Sequence, residues 1–186
     1  MGSTAVPEEL VVEIMRYVEV RRHTDNDDDQ LSPDGVRAAE EIGRSRLHPP
    51  YALFVSSGAG RATQMLDILR TVIGQDSVPV VAEPSLRSVV EDRWRESAKA
   101  AGSSDLEEIR RVDPDLVEKE SQMLAAALRG VVERVPEGGR ALVVAHSPTT
   151  EAAVLGLTGH PVAPLGKGEG VLLVEDGGKY AVESLP

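Results

Sequence analysis

The sequence of 186 residues contains no cysteine. That excludes disulfides, thiol nucleophiles and thiolate metal sites. Aromatic residues make up only 3% of the chain, with one Trp and one Phe, so the core has to be assembled from Val, Leu, Ile and Ala. Nowhere do about 18 apolar residues follow one another, so no transmembrane helix is encoded. The first ten residues include Glu8 and Glu9 and lack the basic start and apolar stretch of a secretory signal. A cytoplasmic protein is expected. Basic residues are the minority, 20 Lys and Arg against 31 Asp and Glu, for a formal charge of -11. Such a balance argues against non-specific contact with nucleic acid or acidic membranes. Any anion this chain binds must be met by a local basic site.

One such site stands out. Val18-Glu19-Val20-Arg21-Arg22-His23-Thr24 runs a β-branched segment into two arginines and a histidine. A loop with Asp25, Asp27, Asp28 and Asp29 follows. This pattern puts Arg22 and His23 at the C-terminal end of a strand, where open α/β sheets bind their ligands. Arginine offers a planar fork of donors for phosphate, and imidazole serves as nucleophile or proton carrier. Taken alone, the pair fits a basic strand end equally well.

The rest of the chain supplies context. The first strand is expected over 16–22; residues 1–14 fit a short helix or a lead-in strand. Ser32-Pro33 reads as an N-cap with Pro at the first helical position, opening a helix to about Leu47. A strand over 51–55 leads through Ser56-Ser57-Gly58-Ala59-Gly60-Arg61 into a helix with apolar residues at Ala62, Met65, Leu66, Leu69, Val72 and Ile73. Arg61 then lies near a helix N-terminus, a favourable place for an anion. Val78 to Ala82 forms a third strand, which Pro79 confines to an edge or to a start at Val80. The charged stretch 83–113, with the only Trp (Trp94), reads as a partly helical lid insertion, and Trp94 as packing within it. A long helix over 115–135 precedes a buried-type strand over 141–145. His146-Ser147-Pro148 then suggests another N-cap and helix start, closing at Gly159. A hairpin over 171–182 turns at Asp176-Gly177-Gly178. Alternating strands and helices imply an α/β fold with a largely parallel sheet covered on both faces, in a single domain over 1–186. Three strand ends then bring together Arg22-His23, Ser57 through Arg61, and His146, in a chain with only 4 histidines.

These residues resemble the histidine phosphatase (phosphoglycerate-mutase-like) superfamily over about residues 16–158. Arg22-His23-Thr24 is similar to its Arg-His-Gly strand end, and Leu31-Ser32-Pro33-Asp34-Gly35 to its Leu-Thr-x-x-Gly. Ser56-Ser57-Gly58-Ala59-Gly60-Arg61-Ala62-Thr63-Gln64-Met65 resembles its Ser-Ser-x-x-x-Arg-Ala-x-Gln-Thr, and Val143-Val144-Ala145-His146 its second-histidine strand. The resemblance implies a three-layer α/β/α sandwich with a mostly parallel central sheet and the site at its C-terminal edge. It implies His23 as nucleophile, Arg22, Arg61 and His146 around the phosphoryl oxygens, and no metal or other cofactor. The family's acid follows the second arginine as Leu-Arg-Glu, but here Leu86-Arg87-Ser88 stands there. Glu91 is the first substitute, with Glu83 and Asp92 behind it, and a merely solvated Glu91 stays equally open.

Two further departures matter. Thr24 in place of Gly is expected to add a hydroxyl and bulk near the phosphate. The acidic loop is expected to be a solvated turn facing away; facing the site, it would repel polyanions over about 8 Å in cell salt and favour substrates with a neutral or cationic remainder. It is not a calcium loop, because Gln30 and Val36 stand where Gly and Glu are needed. Gly166-Lys167-Gly168 lacks the remainder of a P-loop, no Gly-x-Ser-x-Gly exists, and His48 and His160 read as capping or surface residues. The resemblance thus implies a metal-independent phosphatase for a small phosphate monoester, acting through a phosphohistidine. The alternatives are a non-catalytic phosphate-binding member and a phosphohistidine-protein phosphatase. A mutase is less favoured, since superfamily mutases are generally longer. The expected partner is a small phosphorylated substrate, with neither nucleic acid nor membrane. The oligomeric state is left open, a homodimer included.

Overall fold

The computed structural model describes residues 14–186; the expectation for 1–14 lies almost wholly outside this range. Strands β1 (Arg16–Arg22), β4 (Leu53–Ser56), β5 (Val80–Ala82), β6 (Arg140–Ala145), β7 (Gly170–Asp176) and β8 (Lys179–Leu185) form one sheet in the order β5-β4-β6-β1-β7-β8. The pairs β5–β4, β4–β6 and β6–β1 are parallel, whereas β7 and β8 add an antiparallel edge. Two short strands, β2 (Asn26–Asp27) and β3 (Gln30–Leu31), pair as a separate hairpin in the acidic loop.

Helices cover both faces. On one side lie α1 (Pro33–Ser45) and α2 (Gly60–Val72); on the other lie α5 (Pro114–Arg134) and α6 (Thr149–Thr158). The two-residue period of β6 shows why three layers form. Ala141, Val143 and Ala145 pack with α5 and α6, while Leu142 and Val144 pack with α1 and α2. Strand β1 is more polar. Val18 and Val20 join the α5/α6 side, but Glu19 and Arg21 are a buried ion pair at 2.7 Å. Tyr51 donates to the second Glu19 oxygen at 2.7 Å, and Arg21 donates to the carbonyls of Gly168 and Pro186. Every charge buried there has a partner, which is what such a pair needs to be tolerated.

Most boundaries follow the sequence signals. Ser32 caps α1 through the Gly35 N–H, Pro33 opens that helix, and Gly159 ends α6 in the left-handed conformation. Pro79 leaves β5 to start at Val80 on the sheet edge. One cap differs. Ser147 does not cap α6, whose cap position is Pro148; the Ser147 hydroxyl donates instead to Glu151. Between β5 and α5, residues 83–113 form a 3-10 turn (Pro84–Leu86), α3 (Glu91–Ala101) and α4 (Leu106–Val112). Leu86, Trp94, Leu106 and Ile109 anchor this segment in the α5/α6-side core. Trp94 does pack, with its indole N–H donating to Glu120.

Candidate active site

Parallel register gathers the three polar strand ends at one edge. His23 N–H donates to the Ala145 carbonyl at 3.1 Å, and Ser57 N–H to the Val144 carbonyl at 3.2 Å. Both residues are thus tied to the end of β6, immediately before His146. Neighbouring residues leave an extended chain on opposite sides. Arg22 accordingly reaches the carbonyl of Leu165 at 2.7 Å, while His23 meets Arg61 from α2. These side chains and His146 line one side of a cavity of about 300 Å³. Helix α3 lines the other with Glu91, Trp94 and Arg95.

The hydrogen bonds assign the imidazole protons. Arginine can only donate. Arg61 Nε lies 3.2 Å from His23 Nε2, so Nε2 is the acceptor and Nδ1–H donates to the Thr24 carbonyl at 2.8 Å. Arg61 Nη2 lies 3.4 Å from His146 Nδ1, which leaves Nε2–H of His146 donating to Ser57 Oγ at 2.7 Å. The rings meet edge to face, centroids 5.2 Å apart. Burial is the main force lowering the His23 pKa from 6.5 to about 4; its backbone bond opposes this, and the charges of Lys167, Arg61 and Arg22 add to it. Burial, then Arg61, lowers that of His146 to about 3. Both rings are therefore neutral near pH 7. A neutral imidazole with one nitrogen fixed by a backbone carbonyl offers its other lone pair as a nucleophile.

Arg61 does begin α2, yet the helix N-terminus is already filled. Asp29 accepts from Gly60 N–H at 3.0 Å and Arg61 N–H at 3.4 Å, and its carboxylate pairs with Arg61 Nη1 at 2.9 Å. Gly60 makes room, because a Cβ there would lie 2.7 Å from the Asp29 carbonyl oxygen. The expectation that the acidic loop faces away is therefore corrected for Asp29, which holds Arg61; Asp27 and Asp28 are exposed. Burial of the hairpin root also corrects the reading of Thr24. It is 1% exposed, donates to the Gly35 carbonyl at 2.7 Å and is not among the residues lining the cavity.

Of the three candidate acids, only Glu91 lines the cavity, held by Arg87 at 3.1 Å. Glu83 instead pairs with Arg134, and Asp92, 88% exposed, with Arg95. Ser88, which stands where the family's acid is expected, lines the cavity; sequence reasoning passed over Arg95 and the partner roles of Ser57 and Asp29. Glu151 was also missed. It is 1% exposed, and accepts from Ser147 and from Leu165 N–H, whose carbonyl in turn holds Arg22. Ser57 lay inside a recognised motif, whereas the others carry no local signal. His48 and His160 are exposed.

The model of the histidine phosphatase superfamily (branch 1) matches residues 16–169, and the chain belongs to this family. No curated protein matches the sequence. Among solved structures, a phosphoglycerate mutase from Bacillus anthracis is similar at 21% identity and a TM-score of 0.72, covering 93% of each chain. YhfR of Bacillus stearothermophilus is similar at 19% identity and a TM-score of 0.69, covering 91% of this chain and 96% of that one. A mycobacterial glucosyl-3-phosphoglycerate phosphatase is similar at 18% identity and a TM-score of 0.57, covering 92% and 98%. These likenesses establish the fold. A structure named a phosphoglycerate mutase is covered to 93% by this chain, so these likenesses do not decide between phosphatase and mutase.

Proposed function

We propose that the protein is a metal-independent phosphatase that hydrolyses a small phosphate monoester through a phosphohistidine at His23. One observation carries the reading. A buried, neutral imidazole keeps Nε2 as an acceptor beside Arg61, in a cavity that also presents Arg22 and His146. In the first step Nε2 attacks phosphorus in line, the P–N bond forms and the ester P–O bond breaks. The Thr24 carbonyl, accepting from Nδ1–H, steadies the positive charge that the ring acquires. Arg22 and Arg61 bring positive charge to the non-bridging oxygens, the stabilisation that a metal supplies in other phosphoryl-transfer sites. His146 stands beside them as a neutral ring that can turn its Nε2–H from Ser57 to an oxygen.

Glu91 as a carboxylic acid gives its proton to the leaving alkoxide. Its carboxylate then takes a proton from the water that attacks phosphorus, the P–N bond breaks, and His23 returns neutral. A cavity of about 300 Å³ lies at the lower end of small-molecule sites, which suits a phosphoryl group with a compact remainder.

The test is hydrolysis of p-nitrophenyl phosphate with chelator present, by wild type and His23→Ala. Activity that survives chelation and is lost in the variant is the expected result. Vanadate binding without any turnover would make the protein a phosphate-binding member instead. Transfer to a second hydroxyl rather than to water would make it a mutase.

A further inference from the structure

The segment leading into β7 runs against the end of β1. Arg22 N–H donates to the Glu169 carbonyl at 2.8 Å, and Gly168 N–H donates back to the Arg22 carbonyl at 3.1 Å. Residues 166–169 close a turn on themselves: Glu169 N–H donates to the Gly166 carbonyl at 3.1 Å, and Gly166 N–H to the Glu169 carboxylate at 2.7 Å. Gly168 has a left-handed φ of 79°, and a Cβ there would lie 3.3 Å from Thr24 Cγ2. The turn therefore abuts the residue that follows the nucleophile. Lys167 is the side chain it projects, and its Nζ reaches across to the side-chain oxygen of Asn26 in the β2–β3 hairpin.

That partner is a neutral amide. Arg61 is neutralised by Asp29, but among the described residues neither Arg22 nor Lys167 is ion-paired with a carboxylate. Lys167 does not line the cavity at rest, but the backbone bonds between Arg22 and residues 168–169 fix its turn against the strand end that carries Arg22 and His23. Partial loss of water around its ammonium, then Arg22, lowers the Lys167 pKa against the pull of Asp25, although the residue as a whole is exposed. Among nearby charges, Lys167 is the largest contributor to holding His23 neutral. Cations crowded together with only amide and carbonyl partners are relieved by an arriving anion.

We propose that Lys167 is a phosphate-binding residue, whose ammonium leaves Asn26 for a phosphoryl oxygen when substrate enters. Two unpaired cations, Arg22 and Lys167, then match the two charges of a phosphate monoester dianion. The Gly-Lys-Gly turn thus serves a phosphate without being a P-loop. This inference rests on the phosphatase reading of the same site.

The test is vanadate binding by titration calorimetry, with steady-state kinetics on p-nitrophenyl phosphate. Lys167 is exposed on its turn, so Lys167→Met is expected to keep the wild-type melting temperature. Its vanadate affinity should fall about tenfold, with KM rising and kcat little changed. Lys167→Arg should recover to within about threefold of wild type. Asn26→Ala removes the resting partner and keeps the ammonium, so it should bind vanadate as wild type does. Unchanged affinity in Lys167→Met, or an equal loss in Asn26→Ala, overturns the inference and leaves the phosphatase reading intact. A wild type that neither binds vanadate nor turns over substrate overturns both.

Discussion

The two sides of the cavity are built on different physics. The strand-end side is buried: His23 is 6% exposed and His146 8%. Its contacts join residues far apart in sequence, such as Ser57 with His146 and Arg61 with His23. On the α3 side Trp94 is buried but the charged groups are solvated, held by neighbours one turn away, Glu91 by Arg87 and Arg95 by Asp92. Burial on the first side sets protonation states and aims lone pairs. Exposure on the second leaves side chains free to adapt, since exposed pairs one turn apart contribute little stability. In the proposed mechanism the strand ends take the phosphoryl group and α3 faces the leaving group.

Arg61 is where this contrast can be broken most severely, because it touches both histidines and Asp29. Arg61→Ala is expected to lower kcat on p-nitrophenyl phosphate by about 100- to 1000-fold, the scale for removing a donor that stabilises transition-state charge. A loss below tenfold would detach Arg61 from the reaction. Glu91→Gln sharpens the comparison by substrate. Alkyl phosphates, whose leaving groups need a proton, should lose about 100-fold in kcat, and p-nitrophenyl phosphate less than about threefold. Equal losses on both substrates would remove Glu91 as the acid.

The smallest effect is on stability. In the unfolded chain the histidines titrate near 6.5, but the fold lowers His23 to about 4 and His146 to about 3. Below pH 6.5 the unfolded chain therefore takes up protons that the fold refuses. Stability from this source is complete above 6.5 and is lost progressively down to about 3. Calorimetry should show the melting temperature falling between pH 6.5 and 4, and a smaller fall for the variant with both histidines replaced by Asn. An unchanged slope would mean that neither ring is held neutral.

Legibility in the sequence followed the range of the forces involved. Val18-Glu19-Val20, the Ser32-Pro33 cap and the apolar spacing of α2 are local patterns, and the elements formed where those patterns placed them. Arg22, His23, Arg61 and His146 were found because each ends a strand or starts a helix, positions that parallel topology brings to one edge. Glu91 was reachable only as one of three carboxylates, since which of them turns inward depends on how α3 packs. Asp29 read as one charge in a solvated loop, and nothing nearby in sequence indicates Gly60 and Arg61, more than thirty residues on, as its partners.

By itself, then, the sequence determined the order of strands and helices, the family and the four side chains that line the cavity from the strand ends. Each of these depends on backbone preference or on residue type at an element's end. Tertiary structure alone decided that Thr24 turns its hydroxyl to the first turn of α1, that Glu151 ties Ser147 to Leu165, and that the turn carrying Lys167 abuts Thr24. It also decided the neutrality of the two imidazoles. Burial and fields from distant residues are properties of three-dimensional position, and no window of sequence carries them.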